Sequence, residues 1–272
     1  MVVLGLSEHV PRSRPQDLYP EESDLSPDDL HQAFGSYVEE ARRLRAKYAD
    51  QIHILIGAET EYITSATIAE LKQLRSQYGL DFYVGSLHHV NGMPMDFSLD
   101  LYEQIVEHCH GSRSEMFRRY FDEQLELLQQ LQPEIVGHFD LIRIFHPYSQ
   151  GIPDPLLDSE IRKLALRNID YAISYGALFE INSRAWKKGL HDAYPQRDLL
   201  QEILQRGGRV TISDDSHGEQ DVCMHYDRLL DYLNEMGITR LHYLRRDADG
   251  VVQVLALDNA TTHDFWTANR LT

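Results

Sequence analysis

Short runs rich in Val, Ile, Leu, Phe and Tyr alternate along the chain with longer stretches in which apolar residues recur every three or four positions. The first pattern suits strands buried on both faces, and the second suits amphipathic helices. Strands are predicted near Val2–Leu6, Ile52–Ala58, Phe82–Val84, Ile135–Val136, Leu178–Ile181 and Arg209–Ile212. A late pair is expected near Arg240–Leu244 and Val251–Leu257, flanking Asp247-Ala248-Asp249-Gly250 as a hairpin. Helices are predicted near Pro27–Tyr48, Ser65–Tyr78, Ser98–Leu131, Asp158–Tyr175, Gln196–Arg206 and Asp221–Met236. Ser26-Pro27 has the form of an N-cap with proline in the first turn. Such alternation is the signature of repeated β-α units, hence an α/β fold built on a parallel sheet or barrel. Pro11–Asp24 and His146–Pro155 read as long surface loops able to cover a site.

Length and composition narrow the class. At 272 residues, 42% hydrophobic and 25% charged, the chain fits one globular domain spanning 1–272. Lys plus Arg is 26 against 43 for Asp plus Glu, a net charge of −17. That balance disfavours nucleic acid or an anionic membrane as partner and leaves small molecules. Two cysteines, Cys109 and Cys223, are too few for a disulfide framework. No membrane-length apolar run and no signal-peptide pattern is present, so a cytosolic protein is expected; oligomeric state is left open.

The 14 histidines matter because of where many of them sit. Ser7-Glu8-His9, Gly57-Ala58-Glu59-Thr60-Glu61, Gly85-Ser86-Leu87-His88-His89, Gly137-His138-Phe139-Asp140, Phe179-Glu180-Ile181-Asn182 and Ser213-Asp214-Asp215-Ser216-His217 each lie at or just after an apolar run. In a β/α barrel the C-terminal strand ends converge on one face, so these blocks would meet there. Any one alone reads as a satisfied polar residue or a helix cap. Together they point to a multinuclear metal site, since imidazoles and carboxylates are the usual ligands of Zn, Mn and Fe. A serine nucleophile lacks its Gly-x-Ser-x-Gly elbow, and neither a phosphate loop nor a dinucleotide fingerprint is present.

The blocks LGLSEHVP, GAETEY, VGSLHHVNGMPMDFS, GHFDLIRIF, FEINSRAWKKG and SDDSH resemble, in order, the polymerase and histidinol phosphatase (PHP) superfamily, closest to its histidinol-phosphatase branch. The resemblance runs from Met1 to about Tyr226. It implies a distorted β/α barrel of about seven strands, up to three divalent ions, and hydrolysis of L-histidinol phosphate in histidine biosynthesis. By motif, His9, Glu59, His88, His138, Asp215 and His217 match metal ligands, with Glu59 bridging two ions. Glu61, His89, Asp140 and Asp214 match groups that support the ligands. Arg143 and Lys187 are expected to hold the substrate phosphate, with Arg184 and Lys188 as alternates. No protein nucleophile is expected, because metal-bound hydroxide would attack directly.

One departure stands out. Family members open with a strand ending in a His-x-His pair and then an aspartate, whereas this sequence begins after them. The expectation is a barrel lacking its first strand and helix, in which the set Glu59, His88 and His138 is intact and the other ions lose ligands. Two alternatives accompany the main reading: a PHP phosphoesterase acting on another small phosphate ester, and a metal-binding remnant with impaired catalysis.

Overall fold

The structure is a computed structural model describing residues 3–268; Val2, expected in the first strand, lies outside them. Ten strands are assigned in chain order: β1 Val3–His9, β2 His53–Glu59, β3 Phe82–Gly85, β4 His89–Val90, β5 Met93–Pro94, β6 Ile135–Val136, β7 Leu178–Asn182, β8 Arg209–Ser213, β9 Leu241–Arg246 and β10 Val252–Leu257. Six of them form one all-parallel sheet in the order β1-β2-β3-β6-β7-β8. The sheet is curled into a distorted, open α/β barrel, with β1 and β8 as its edges. Both edges line the same apolar cavity of about 300 Å³, together with Leu55, Phe82 and Ile135. The predicted late hairpin is present as antiparallel β9–β10, which packs against β8, β2 and β1 across one end.

Helices α1 Pro27–Lys47, α2 Thr67–Tyr78, α3 Leu99–His108, α4 Arg113–Leu131, α5 Ser159–Tyr175, α6 Arg184–Lys187, α7 Arg197–Gln205 and α8 Tyr226–Glu235 connect the strands. Helix α1 starts as its sequence predicts: Ser26 Oγ accepts the Asp29 N–H, and Asp29 accepts the Ser26 N–H, closing a capping box ahead of the first turn. Helix faces carrying Phe34, Leu71, Phe117, Ile161, Leu200 and Leu229 are buried in one continuous core. Inside the curl, Gly57 is required by contact: a Cβ there would sit 2.6 Å from the Phe82 ring.

Two predicted helices need correction. Ser98–Leu131 is two helices, not one, because His110 and Gly111 adopt φ of 58° and 74° and end the first. Ser112 then caps the second by accepting the Glu115 N–H. The helix expected from Asp221 begins at Tyr226. Cys223 and His225 hold φ of 60° and 59° ahead of it, a conformation no α-helix tolerates.

Candidate metal centre

The sheet register builds the centre directly. β1 and β2 run in register with His9 opposite Glu59, which makes two residues 50 positions apart neighbours at adjacent strand ends. His88 follows β3, His138 follows β6, and Asp215 with His217 follow β8. All six line one small cavity of about 60 Å³ at the C-terminal face, shared with Asp96, Leu141, Ile144, Arg184, Lys188 and Tyr194. This is the face on which β/α barrels assemble their sites.

Its tightest part is a triangle. His88 Nε2 lies 3.3 Å and His138 Nε2 3.1 Å from Glu59 Oε1, and the two imidazole nitrogens are 3.2 Å apart. The other Glu59 oxygen, Oε2, faces His9 Nε2 at 3.7 Å. Ligands at zinc distances of about 2.0–2.1 Å in a tetrahedron are about 3.3 Å from one another, so the triangle has the dimensions of one face of such a polyhedron. Two imidazoles meeting over one carboxylate oxygen also make a poor hydrogen-bond set and a good ligand set. Glu59, His88 and His138, and separately His9, Glu61 and His88, present ligand atoms close enough to hold an ion. The residues fit a divalent cation.

Electrostatics point the same way. Burial would raise the Glu59 pKa, but the charge of His9 and hydrogen bonds from His138 and His88 hold it well below the usual carboxylate range. Burial would likewise deprotonate His9, yet Glu59 and Glu61 keep its pKa up at about 9. Burial and then the charge of Glu59 push Asp215 up. A carboxylate pushed up by burial and by a charged neighbour is in the environment a cation relieves.

Supporting groups fix the ligands. Glu61, buried, meets His9 Nδ1 at 2.9 Å and His88 Nδ1 at 3.3 Å, which turns both Nε2 atoms toward Glu59. Arg12 ties Glu61 to the Pro11–Asp24 loop by pairing with Glu61 at 3.4 Å and with Glu22. Glu180 accepts the His138 N–H at 2.6 Å and an Asn182 amide N–H at 3.0 Å. That same amide reaches Asp215 at 3.3 Å. Asp215 has φ of 49°, an uncommon conformation for a side-chain-bearing residue that recurs at functional sites. Of the remaining expected supports, His89 Nδ1 lies 3.6 Å from Glu61 and its ring packs against Tyr19, Asp140 pairs with Arg143, and Asp214 ties its own loop through Ser216 Oγ and the Cys223 N–H.

The expected phosphate contacts are corrected. Arg143 is buried, and its guanidinium is spent on Asp140 at 2.9 Å, Asp154 at 2.9 Å and Asp198 at 2.7 Å; it does not line the cavity. Lys187 pairs with Asp221 at 2.7 Å, a carboxylate it shares with Arg184, and is not among the residues that line the cavity. The basic side chains that line the cavity are Arg184 and Lys188. Arg184 Nη1 is anchored by the Asp215 carbonyl and by Asp221, each at 3.0 Å. Asp96 and Tyr194 were not anticipated. Asp96 follows a two-residue strand instead of an apolar run, although it sits inside the block VGSLHHVNGMPMDFS that carried the family resemblance.

The chain is similar to known proteins in sequence and in fold. The family model described as PHP domain matches residues 1–184. The "Probable histidinol-phosphatase" of Schizosaccharomyces pombe is 46% identical over 259 residues, covering 94% of this chain and 84% of that protein. The "Histidinol-phosphatase" of Saccharomyces cerevisiae is 32% identical over 270 residues, covering 88% and 80%. Among solved structures, a candidate histidinol phosphatase, hisK, of Listeria monocytogenes superposes with a TM-score of 0.67 at 20% identity, over 84% of this chain and 88% of that one. That superposition supports the barrel-like fold. With the strand-end cluster in place, and with a family model spanning most of its length, the chain belongs to the PHP domain family.

Proposed function

We propose that this protein is a metal-dependent phosphomonoesterase that converts L-histidinol phosphate to L-histidinol and phosphate in histidine biosynthesis. The observation that carries the reading is the buried Glu59–His88–His138 triangle opening into a cavity that also presents Arg184 and Lys188. The kinship with proteins named histidinol-phosphatase supports the substrate. Bound divalent ions, Zn, Mn or Fe, supply acidified water as nucleophile and positive charge against the phosphoryl oxygens.

The chain's own residues do the rest. Glu59, His88 and His138 would hold one ion, His9, Asp215 and His217 would supply part of the ligand set of any other, and Glu61 and Glu180 keep these residues in place. Arg184 uses only Nη1 on its protein anchors, so its other N–H groups serve the phosphate with the Lys188 ammonium. An acidic chain of net charge −17 suits a small ester better than a polyanion. No described helix is long and apolar enough to cross a membrane, consistent with a cytosolic setting.

The test is turnover of L-histidinol phosphate, phenyl phosphate and single-stranded DNA by metal-loaded protein. The expected result is preferential release of phosphate from the first. Equal or greater activity on DNA would overturn the reading, as would a loaded protein inert toward histidinol phosphate.

A further inference from the structure

The cavity lining is of two chemical kinds. The imidazoles, Arg184 and Lys188 suit a phosphoryl group. Leu141, Ile144, Asp96 and Tyr194 line the same cavity, with the Tyr194 ring against His138, and phosphate chemistry requires none of the four. Asp96 makes no ion pair among the described residues, although its charge is felt by His88 and His89, and a carboxylate facing an anion-binding cavity repels the phosphate unless something cationic lies between. Tyr194 is 2% exposed, yet its hydroxyl has no hydrogen-bond partner. A buried hydroxyl left unpaired costs free energy and calls for an explanation. A carboxylate and an idle hydroxyl beside two aliphatic side chains form a receptor for a short carbon skeleton that carries a protonated nitrogen.

We propose that Asp96 and Tyr194 form the leaving-group subsite, where Asp96 binds a cationic nitrogen of the alcohol and so selects amine-bearing phosphate monoesters over uncharged ones. This rests on the phosphomonoesterase reading and deepens it. Asp96 accepts hydrogen bonds from the nitrogen, and Tyr194 Oη supplies a neutral partner beside it. Leu141 and Ile144 exclude water and strengthen the charge pairing. A site built around such a pair discriminates strongly against analogues lacking the charge, because the carboxylate is then left uncompensated.

The test uses metal-loaded wild type, Asp96→Asn and Tyr194→Phe on three esters: L-histidinol phosphate, glycerol 2-phosphate and phenyl phosphate. The first has a cationic alkyl leaving group, the second a neutral alkyl one and the third a neutral aryl one. For Asp96→Asn the expected result is a loss of roughly tenfold or more in kcat/KM on the first, with less than about twofold change on the other two. Tyr194→Phe is expected to show the same selectivity with a smaller loss. L-histidinol should inhibit Asp96→Asn at least tenfold more weakly than wild type, while inhibition by inorganic phosphate stays the same. Loss on both alkyl esters but not the aryl one would instead make Asp96 the proton donor to the leaving oxygen and overturn the proposal. Equal loss on all three would make it a support for the metal site, also overturning it. A wild type that does not prefer histidinol phosphate would overturn the reading beneath, whatever the variants do.

Discussion

Glu61 and His9 meet through Oε1 and Nδ1 at 2.9 Å, and this contact aims the other ring nitrogen of His9 at Glu59. Because Glu61 also reaches His88 Nδ1, one buried carboxylate sets the orientation of two candidate ligands. Glu61→Gln keeps the shape but removes the charge that favours Nδ1–H. Supporting partners of this kind typically change metal affinity about 10–100-fold. The variant is expected to bind Zn²⁺ or Mn²⁺ weaker by that factor, as read by calorimetric titration, and to melt lower in chelator, because Arg12 and the two imidazoles lose a buried counter-charge. Unaltered affinity would show that Glu61 merely fills space.

Arg143 and Lys188 should separate stability from activity. Arg143 is the hub of three carboxylates, two of them largely buried. Its removal leaves Asp140 and Asp154 uncompensated, with only Asp198 keeping Arg162, at a cost of about 3–5 kcal/mol. Arg143→Ala is therefore expected to unfold at markedly lower urea concentration. Lys188 is exposed and has no acidic partner among the described residues. Lys188→Ala should leave the unfolding midpoint within error and lower kcat/KM for the phosphate ester by roughly tenfold. The opposite pattern would return the phosphate to Arg143.

This pair also marks where sequence reading stops. The strand-end blocks were legible because ligand-type residues follow apolar runs at a fixed offset, and a parallel sheet gathers such positions on one face. Thus His9, Glu59, His88, His138, Asp215 and His217 share one cavity. Side-chain direction within a loop is not encoded by that offset. Arg143 and Arg184 stand equally close to strand-end motifs, but the 3-10 turn Leu141–Arg143 folds Arg143 back into the protein. Asp96 escaped because the short β4–β5 hairpin that precedes it has no periodicity to detect. The break between α3 and α4, by contrast, had a readable signal in Gly111-Ser112, a glycine stop followed by an N-cap.

Glu123 gives the chain a pH dependence away from the metal centre. Its carboxylate accepts the Asn91 N–H at 3.0 Å beside the Asn91-Gly92 turn. Burial, aided by Glu126 and Asp122, outweighs that bond and Arg119, and pushes its pKa from 4.5 up to about 7. The folded state thus holds this proton more tightly than the unfolded chain. The resulting stability is fully present below pH 4.5 and is lost as pH rises through about 7. Glu123→Gln, which keeps an acceptor for Asn91, should erase this slope. Melting curves at pH 5 and pH 8 are expected to show the variant gaining on wild type at the higher pH. A constant gap would refute the assignment.

Metal removal provides a test that needs no substrate. An ion that binds only the folded chain stabilises it by RT ln(1 + [ion]/Kd), about 2.7 kcal/mol at a hundredfold excess over Kd. Melting temperature should therefore rise on loading and fall back with chelator. The triangle predicts which substitutions abolish the rise. His88→Ala and His138→Ala each remove a nitrogen 3.3 and 3.1 Å from Glu59 Oε1, leaving two protein ligands where firmly held ions have three or four. His88→Ala, which breaks both compact ligand groups, should melt at nearly the same temperature with and without metal, and His138→Ala should lose most of the rise. His217→Ala should keep much of the rise, because His217 is more exposed and lies outside the compact ligand groups of the described residues. If His217→Ala abolished the rise while His138→Ala preserved it, the tightest ion would sit near Asp215 and His217 instead of at the Glu59–His88–His138 triangle.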